Sequence, residues 1–267
     1  PHPFVFVNAW FLKRRTNAKI IFEVRDLWPL TLLQMKPNLK RNPIVYLMQL
    51  VENLAYKKSD LTVSLLPLAF QYMKKHGLSK QKFKYIPNGI SDKLAVCDNF
   101  SDEDKRLFCN NSFKIGYAGN FGEANALLYL IKAFSKLQKY PIVLYLIGDG
   151  PEKIKLEKET VGLSNIYFIE RTDRKKALGY LSLVDVCYIG LAKSDLFKYG
   201  ISPNKIFDYM YLKKPIIQSI NAGNDIVNEA NCGISVDAED VTSVVNAVVK
   251  LYNMTNEQRV QLGLNGY

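Results

Sequence analysis

The chain contains 267 residues, of which 48% are hydrophobic and 23% charged, and its formal net charge is +11. These values are typical of a folded globular protein and exclude a disordered chain, and the length is sufficient for two domains with separate cores. No uninterrupted apolar run reaches the 18 or so residues that a membrane-spanning helix requires. The opening residues lack the charge order of a signal peptide. We expect a cytoplasmic protein, because the four cysteines are scattered and none forms a C-x-x-C pair.

Strand and helix patterns alternate along the first third of the chain. The β-branched and aromatic runs at residues 19–26 and 61–66 predict strands, and residues 83–89 predict a strand followed by a turn. The segments with apolar residues at helical spacing are residues 44–58 and 68–77. Segment 97–111 is polar, charged and without a buried strand, which predicts a linker between a domain at 1–96 and another at 112–267.

A second alternating series follows the linker. Its predicted strands are residues 114–119, 141–148, 165–170, 185–191, 214–219 and 233–237. Its predicted helices are residues 124–137, 152–160, 173–183 and 241–253, a helix that opens near residue 203, and a short one near Ile226. Strands buried on both faces and joined by helices predict a doubly wound parallel sheet, and two such sheets predict a two-domain α/β protein.

The excess positive charge lies in the first third of the chain. Residues 1–95 contain 16 Lys+Arg against 5 Asp+Glu, whereas the remainder is neutral. Such a region could rest on an anionic membrane surface, face a phosphorylated acceptor, or form a lysine-rich solubilising surface. Nucleic acid is not an expected partner, because the basic residues form no concentrated arm or binding motif.

The sequence offers little support for a metal site or for a Ser-His-Asp catalytic triad. The four cysteines form no C-x-x-C pair, which fits a reducing compartment, and His2 and His76 are the only histidines. The acidic run 102–104 falls in the predicted linker, where a solvated charge run is the ordinary interpretation. We therefore expect neither a metal ion nor a cofactor.

Two glycine-rich turns lie where predicted strands end and helices begin. They are GYAGNFGE at residues 116–123, with Gly119, Asn120 and Gly122, and LIGDGPE at residues 146–152, with Gly148, Asp149 and Gly150. Glycines let a ligand approach the backbone, and a helix N-terminus offers free amides to an anion. The alternatives are a tight turn without a ligand and, for Asp149, a helix cap.

Arg171 follows the predicted strand 165–170, in the zone where ligands bind beyond the carboxyl ends of parallel strands. It is therefore a candidate partner for a phosphate. Arg174, Lys175 and Lys176 come next and are predicted to lie on a solvated helix face.

The stretch GISPNKIFDYMYLKKPII, residues 200–217, combines a helix start with charged residues. Ser202 is predicted to cap the helix and Pro203 to occupy its first turn. Lys205 then adds a full positive charge to the helix amides, which together predict a diphosphate site. Asp208 lies one turn further on the same side and could accept two sugar hydroxyls. The alternative interpretation is a capped helix with a surface lysine.

Five motifs occur in the order found in retaining glycosyltransferases of the GT-B fold, family 4. They are VRDLWP, YIPNGIS, GYAGNFG, IGDGPE and SPNKIFDYM. The DLWP box, residues 26–29, most resembles the branch that builds bacterial O-antigen and capsular polysaccharide, including the N-acetyl-L-fucosaminyltransferase type. The resemblance implies two Rossmann-like domains that face a cleft.

The resemblance also implies an activity. It predicts transfer of a hexosyl or N-acetylhexosaminyl group, with retention, from a nucleotide sugar that is expected to be UDP-linked. The implied acceptor is a lipid-linked or oligosaccharide glycan on the inner face of the cell membrane, and no metal is required. It assigns catalytic roles to Lys205, Arg171 and Asp26, the last on the acceptor side. The residues implied to bind the donor are Gly119, Asn120, Gly122, Gly148, Gly150, Ser202, Pro203, Asn204, Lys205 and Asp208.

The sequence also departs from the family pattern. Asp208 matches the second acid of the E-x7-E motif, but the first acid falls on Gly200. Glu123 stands where many relatives have a phosphate-binding arginine, and Leu30 replaces a glutamate. Relatives extend further at both ends, which predicts that this chain is a piece of a longer enzyme with an incomplete N-terminal domain. Two alternatives stay open: a nucleotide-sugar-binding or assembly subunit without turnover, and a UDP-sugar 2-epimerase-like enzyme.

Overall fold

A computed structural model of the protein describes residues 2–91, 95–97 and 100–267. The chain forms two compact α/β units. The first unit comprises Pro1–Asn88, Ser194–Ser202 and Ala222–Asn224, and the second comprises Gly89–Lys193, Pro203–Asn221 and Asp225–Tyr267. The domain boundaries 1–96, 97–111 and 112–267 stay a prediction, and residues 92–94 and 98–99 lie outside the described residues.

The first unit is built on a parallel sheet of three strands in the order β1-β2-β3. The strands are β1 Ile21–Val24, β2 Leu61–Ser64 and β3 Phe83–Tyr85. The helices are α1 Val5–Thr16, α2 Leu30–Met35, α3 Pro43–Lys58 and α4 Ala69–Lys75. Short 3-10 helices cover Pro37–Arg41, Lys80–Lys82 and Asp195–Tyr199. Helix α1 is not among the predicted helices, because its apolar residues are spread around its circumference and only Phe6 is buried.

Helix α3 carries start and stop signals that explain its bounds. The side chain of Asn42 accepts a hydrogen bond from the Ile44 amide at 2.8 Å, and Pro43 occupies the first turn, where no amide is needed. Lys57 and Lys58 lie in the last turn, where they complement the helix dipole. These local signals agree with the predicted helix 44–58.

The inner face of α3 buries a carboxylate. Glu52 is only 2% exposed and accepts hydrogen bonds from the hydroxyls of Tyr56 at 2.7 Å and Tyr72 at 2.9 Å, and from the Gln49 amide at 2.8 Å. No lysine or arginine is paired with Glu52 among the described residues. Burial therefore raises the pKa of Glu52 to about 7, although its hydrogen bonds oppose that shift.

This pKa predicts a pH-dependent stability. The unfolded chain releases the Glu52 proton near its ordinary pKa of 4.5, whereas the folded chain keeps it up to about pH 7. Stability should thus fall as the pH rises from 4.5 to 7, by on the order of 3 kcal/mol from this group. In Glu52→Gln the fall should be absent, whereas the exposed control Glu103→Gln should retain it. Urea unfolding at pH 5 and pH 7.5 measures the effect, and equal pH dependence in all three proteins would contradict it.

The second unit contains a parallel sheet of six strands in the order β6-β5-β4-β7-β8-β9. The strands are β4 Phe113–Asn120, β5 Ile142–Asp149, β6 Ile166–Ile169, β7 Val186–Gly190, β8 Ile216–Ser219 and β9 Gly233–Val236. The helices are α5 Asp102–Phe108, α6 Leu127–Ser135, α7 Lys153–Glu159, α8 Arg174–Ser182, α9 Asn204–Tyr211, α10 Ile226–Glu229, α11 Val241–Asn253 and α12 Asn256–Gly266. A 3-10 helix covers Glu123–Asn125. The predicted α/β class with parallel sheets is confirmed.

The predicted linker contains helix α5, which packs onto the second unit. Ser101 and Asp104 form a capping box at its start, and the Phe108 ring at its end stacks on Tyr145 with centroids 4.3 Å apart. The hydroxyl of Tyr180 donates to Asp104 at 2.6 Å. The interpretation of run 102–104 as a fully solvated charge run is therefore wrong for Asp104, which anchors the helix.

The order of the strands defines where ligands can bind in the second unit. The first strand of this sheet is β4; the chain then adds β5 and β6 on one side of it and places β7 on the other side. Strand β5 is buried along its length except at Asp149, its last residue. The carboxyl ends beside such a reversal are the usual ligand-binding edge of a parallel sheet. Within the described residues, no helix combines the length and the hydrophobicity needed to cross a bilayer.

Candidate functional site

A cavity of about 520 Å³ opens at the carboxyl ends of β4 and β5 in the second unit. Its size is in the range of small-molecule sites, about 300–1,000 Å³. The predicted site residues that line it are Gly119, Asn120, Gly148, Arg171, Lys205 and Asp208. Residues from four separate stretches of the chain thus converge at the edge that the strand order favours.

Lys205 provides a partly buried cation in this cavity. Its side chain leaves the first turn of α9, and Nζ donates to the Tyr117 hydroxyl at 2.7 Å and to Asn125 Oδ1 at 3.1 Å. The ammonium also lies 4.3 Å from the centre of the Tyr117 ring. Both partners are neutral, and burial lowers the pKa of Lys205 to about 8. An anion in the cavity would supply the negative charge that these partners lack.

The glycines let the two strand ends approach each other and Lys205. Gly119 has φ +150°, and a Cβ atom there would lie 2.5 Å from Cε and 2.7 Å from Nζ of Lys205. Gly148 has φ +144°, and its Cβ would lie 2.0 Å from the carbonyl oxygen of Gly119. A side chain at either position would therefore displace the lysine or separate the paired strand ends.

Asp208 and Arg174 form an ion pair within the cavity. Asp208 lies one turn after Lys205 on α9, and its Oδ1 accepts from Nη2 of Arg174 at 2.5 Å. The Asp208 side chain is 15% exposed and that of Arg174 is 61% exposed. Arg174 is exposed at the start of helix α8, as predicted, and it also lines the cavity beside Asp208.

Arg171 lies where the sequence predicts it, just after β6 and at the cavity wall. Together with Lys205 and Arg174 it gives the cavity three cations, against the carboxylates of Asp149 and Asp208. This balance suits an anionic ligand that also carries hydroxyl groups. Asp149 does not cap helix α7. Its Oδ1 accepts from the Gly150 amide at 2.8 Å instead.

Glycines 122 and 150 do not line this cavity. Gly122 borders a separate hollow together with Glu123, so the acidic side chain of Glu123 lies outside the cavity that holds Lys205. Gly150 packs against the turn after β4, where a Cβ would lie 2.6 Å from the backbone nitrogen of Phe121.

The predicted cap of helix α9 is wrong. Pro203 is the N-cap residue and makes no side-chain cap bond, and Asn204 is the first residue of the helix. Ser202 belongs to the first unit, where its hydroxyl accepts from the Asn88 amide at 2.9 Å. Asp26 also belongs to the first unit, and it is exposed in the bend that follows β1.

Gly200 cannot be replaced by the acid that the family pattern expects. Its φ is +98°, and a Cβ would lie 2.4 Å from Cδ of Pro67, within the first unit. Both the backbone conformation and the neighbouring ring exclude a side chain here. In the described part of the chain, no group of three His, Cys, Asp or Glu side chains could hold a metal ion.

Comparison with known proteins adds independent evidence. A profile of the family described as Glycosyl transferases group 1 matches residues 112–254. No curated protein sequence matches the chain.

Several solved structures share the fold. HepE of Anabaena in complex with UDP-glucose is 14% identical with a TM-score of 0.72, over 99% of this chain and 70% of HepE. A structure described as trehalose-6-phosphate from E. coli bound with UDP-2-fluoro glucose is 17% identical with a TM-score of 0.73, over 97% and 65% of the two chains. WaaG, a glycosyltransferase involved in lipopolysaccharide biosynthesis, is 12% identical with a TM-score of 0.69, over 98% and 76%. At these identities the likeness concerns the fold, and it confirms the predicted GT-B class.

Proposed function

Since this chain belongs to the family of group 1 glycosyl transferases, we propose that it transfers a sugar from a UDP-sugar bound in the cavity of the second unit. The observation that carries the proposal is the partly buried ammonium of Lys205, whose hydrogen-bond partners among the described residues are neutral and which lies beside Gly119 at the cavity. HepE and the E. coli protein were solved with UDP-sugars, which supports a uridine donor. Asp208 is proposed to bind hydroxyl groups of the nucleotide.

The chemistry that we propose is stabilisation of the leaving group. The bond between the anomeric carbon and the β-phosphate oxygen breaks, and negative charge grows on the departing diphosphate. Lys205 and Arg171 attract that charge more strongly in the transition state than in the bound donor. The acceptor hydroxyl attacks from the same face and gives its proton to the departing phosphate, which gives retention. No metal ion is required by this scheme.

The acceptor and pathway are proposed from the sequence resemblance. A lipid-linked or oligosaccharide acceptor in cell-surface polysaccharide synthesis would fit the family 4 branch with the DLWP box, and the transferred group would be hexosyl or N-acetylhexosaminyl. The lipopolysaccharide role of WaaG is in keeping with such an acceptor. The basic first third of the chain would contact the anionic inner face of the membrane. Asp26 is proposed as a polar residue on the acceptor side.

A second candidate function is donor binding without turnover. The conformation of Gly200 favours it, because the first acid of the E-x7-E motif cannot be accommodated there. A binding subunit of this kind would still use Lys205 and Asp208 to hold UDP. The two candidates therefore share a ligand and differ only in whether the sugar is transferred or stays attached to the nucleotide.

A nucleotide-sugar panel tests both candidates. UDP should raise the thermal midpoint of the protein, because a ligand stabilises the state that it binds. A transferase should then release UDP from one of the UDP-sugars, faster when a lipid-linked acceptor is present. Stabilisation by UDP without release from any donor would favour the binding subunit. Absence of stabilisation by every nucleotide would contradict the donor site itself.

Arg174 should contribute to donor binding. Arg174→Ala removes a cation and leaves Asp208 as an unpaired carboxylate in the cavity, so the affinity for UDP should fall by about 3–10-fold. Lys175→Ala, at the next position of the same helix, is the matched control and should bind UDP like the unmodified protein. Calorimetric titration measures both variants, and equal affinity in the two would contradict a role for Arg174.

A further inference from the structure

The first two turns of α3 present large apolar side chains to solvent. Ile44, Tyr46, Leu47 and Leu50 are 60%, 69%, 50% and 46% exposed. At 100° per residue these side chains fall within about 160° of the helix circumference. On the opposite face of these two turns Val45 and Met48 are buried in the first unit, so this part of the helix is apolar on both sides. A surface helix normally carries charged residues on its outer face, and a contiguous exposed apolar patch marks an interaction site.

The residues just before α3 add positive charge beside this apolar face. Lys36, Lys40 and Arg41 are exposed in and next to the 3-10 helix Pro37–Arg41. Met35, at the end of α2, is 73% exposed. No aspartate or glutamate occurs between Asp26 and Glu52 in the sequence. The segment from 35 to 50 therefore combines exposed apolar side chains with cations and lacks any acidic group.

The combination of exposed apolar side chains and cations favours a lipid bilayer over other binding partners. An apolar face bordered by lysine and arginine is the pattern of segments that lie in the membrane interface, with apolar groups at the acyl boundary and cations at the headgroups. A second copy of the chain is a poor match, because a two-fold contact would bring the cations of one copy close to those of the other. The helix is too short and too polar to span a bilayer.

We propose that the surface formed by Met35, Lys36, Lys40, Arg41, Ile44, Tyr46, Leu47 and Leu50 docks onto an anionic lipid bilayer. The apolar side chains enter the boundary between headgroups and acyl chains, while the three cations lie at the lipid phosphates. This proposal rests on the membrane contact in the proposed function and identifies the surface that makes it. Its test contains no donor and no acceptor, so docking and sugar transfer can fail separately.

Sedimentation with lipid vesicles tests the docking surface. The full chain should bind vesicles with 30% phosphatidylglycerol at least tenfold more tightly than vesicles of phosphatidylcholine alone. The double variants Ile44→Glu/Leu47→Glu and Lys40→Glu/Arg41→Glu should each lose at least tenfold of that binding. The matched control Ile154→Glu/Val161→Glu changes two side chains of the second unit that are 70% and 84% exposed, and it should bind within twofold of the unmodified chain.

A second measurement locates the contact without removing apolar groups. A tryptophan placed by Tyr46→Trp should be quenched by lipids brominated on their acyl chains, whereas one placed by Ile154→Trp should not.

Three results would overturn the proposal. They are equal binding to both kinds of vesicle, equal quenching of the two tryptophans, and self-association that the Ile44→Glu/Leu47→Glu variant abolishes while vesicle binding is absent. The last result would identify a protein partner for the apolar face.

Discussion

Replacing Lys205 by alanine is expected to lower donor turnover by about 10²–10³-fold, the loss seen when one group that stabilises transition-state charge is removed. The partly buried ammonium is held by Tyr117 and Asn125 at the cavity, so its charge is fixed where the diphosphate is proposed to bind. Binding of UDP should weaken as well, because the cavity would lose one of its three cations. Release of UDP from the preferred donor measures the first effect and calorimetry the second.

The control for this variant is another lysine of the second unit. Lys250→Ala removes an exposed cation of helix α11 that does not line the cavity, and it should leave turnover unchanged. If Lys205→Ala turned over its donor at the rate of Lys250→Ala, the proposed leaving-group role would be wrong.

The pKa of Lys205 adds a pH signature to the same prediction. Because burial lowers this pKa to about 8, the lysine loses its charge just above physiological pH unless a diphosphate holds the proton. Affinity for UDP should thus fall by up to about tenfold for each pH unit above 8. In the absence of ligand, the folding stability should instead rise with pH. Between pH 8 and the ordinary pKa of 10.5 the unfolded chain binds more protons, so this group favours folding as the pH rises. Lys205→Ala should show neither dependence.

The second large effect is expected for Gly148→Ala. The added Cβ would lie 2.0 Å from the carbonyl oxygen of Gly119, the residue paired with Gly148 across β4 and β5, and φ is +144°. Because this oxygen belongs to the backbone and not to a flexible side chain, the two strand ends must separate to make room for the Cβ atom. We expect a loss of about 2–5 kcal/mol in the free energy of unfolding, together with weaker UDP binding.

Gly162→Ala isolates the cause of that loss. Gly162 also has a positive φ, +83°, but a Cβ there would meet nothing within 4 Å. This variant should therefore lose only about 1 kcal/mol, from backbone strain alone. Urea unfolding of both variants makes the comparison, and equal losses would show that contact with Gly119 is unimportant.

Local spacing was sufficient to predict much of the fold and part of the site. Alternating strand and helix patterns predicted the parallel sheets, because buried strands joined by helices have few other arrangements. Lys205 and Asp208 were predicted to face the same side because three residues make nearly one helical turn, and both line the cavity. The glycines at 119 and 148 were also recognisable, since turns of this kind favour them.

Contacts distant in sequence could not be predicted in this way. Tyr117 and Lys205 are 88 residues apart, and their hydrogen bond depends on the order of strands and helices in the folded sheet. Spacing on α8 correctly predicts an exposed Arg174, but it cannot predict that α9 brings Asp208 within hydrogen-bonding distance of it. Ser202 has the residue type of a helix cap, but Asn88 bonds its hydroxyl. In each case a tertiary neighbour decided the position of the side chain.

The conformation at position 200 has a practical consequence for protein engineering. Restoring the missing acid by Gly200→Glu would force the new side chain against the Pro67 ring and into a disfavoured backbone geometry. An inactive Gly200→Glu protein would reflect misfolding. Its lack of activity would therefore not show whether the acid takes part in the reaction. A useful reversion would have to redesign residue 67 and the local chain path together.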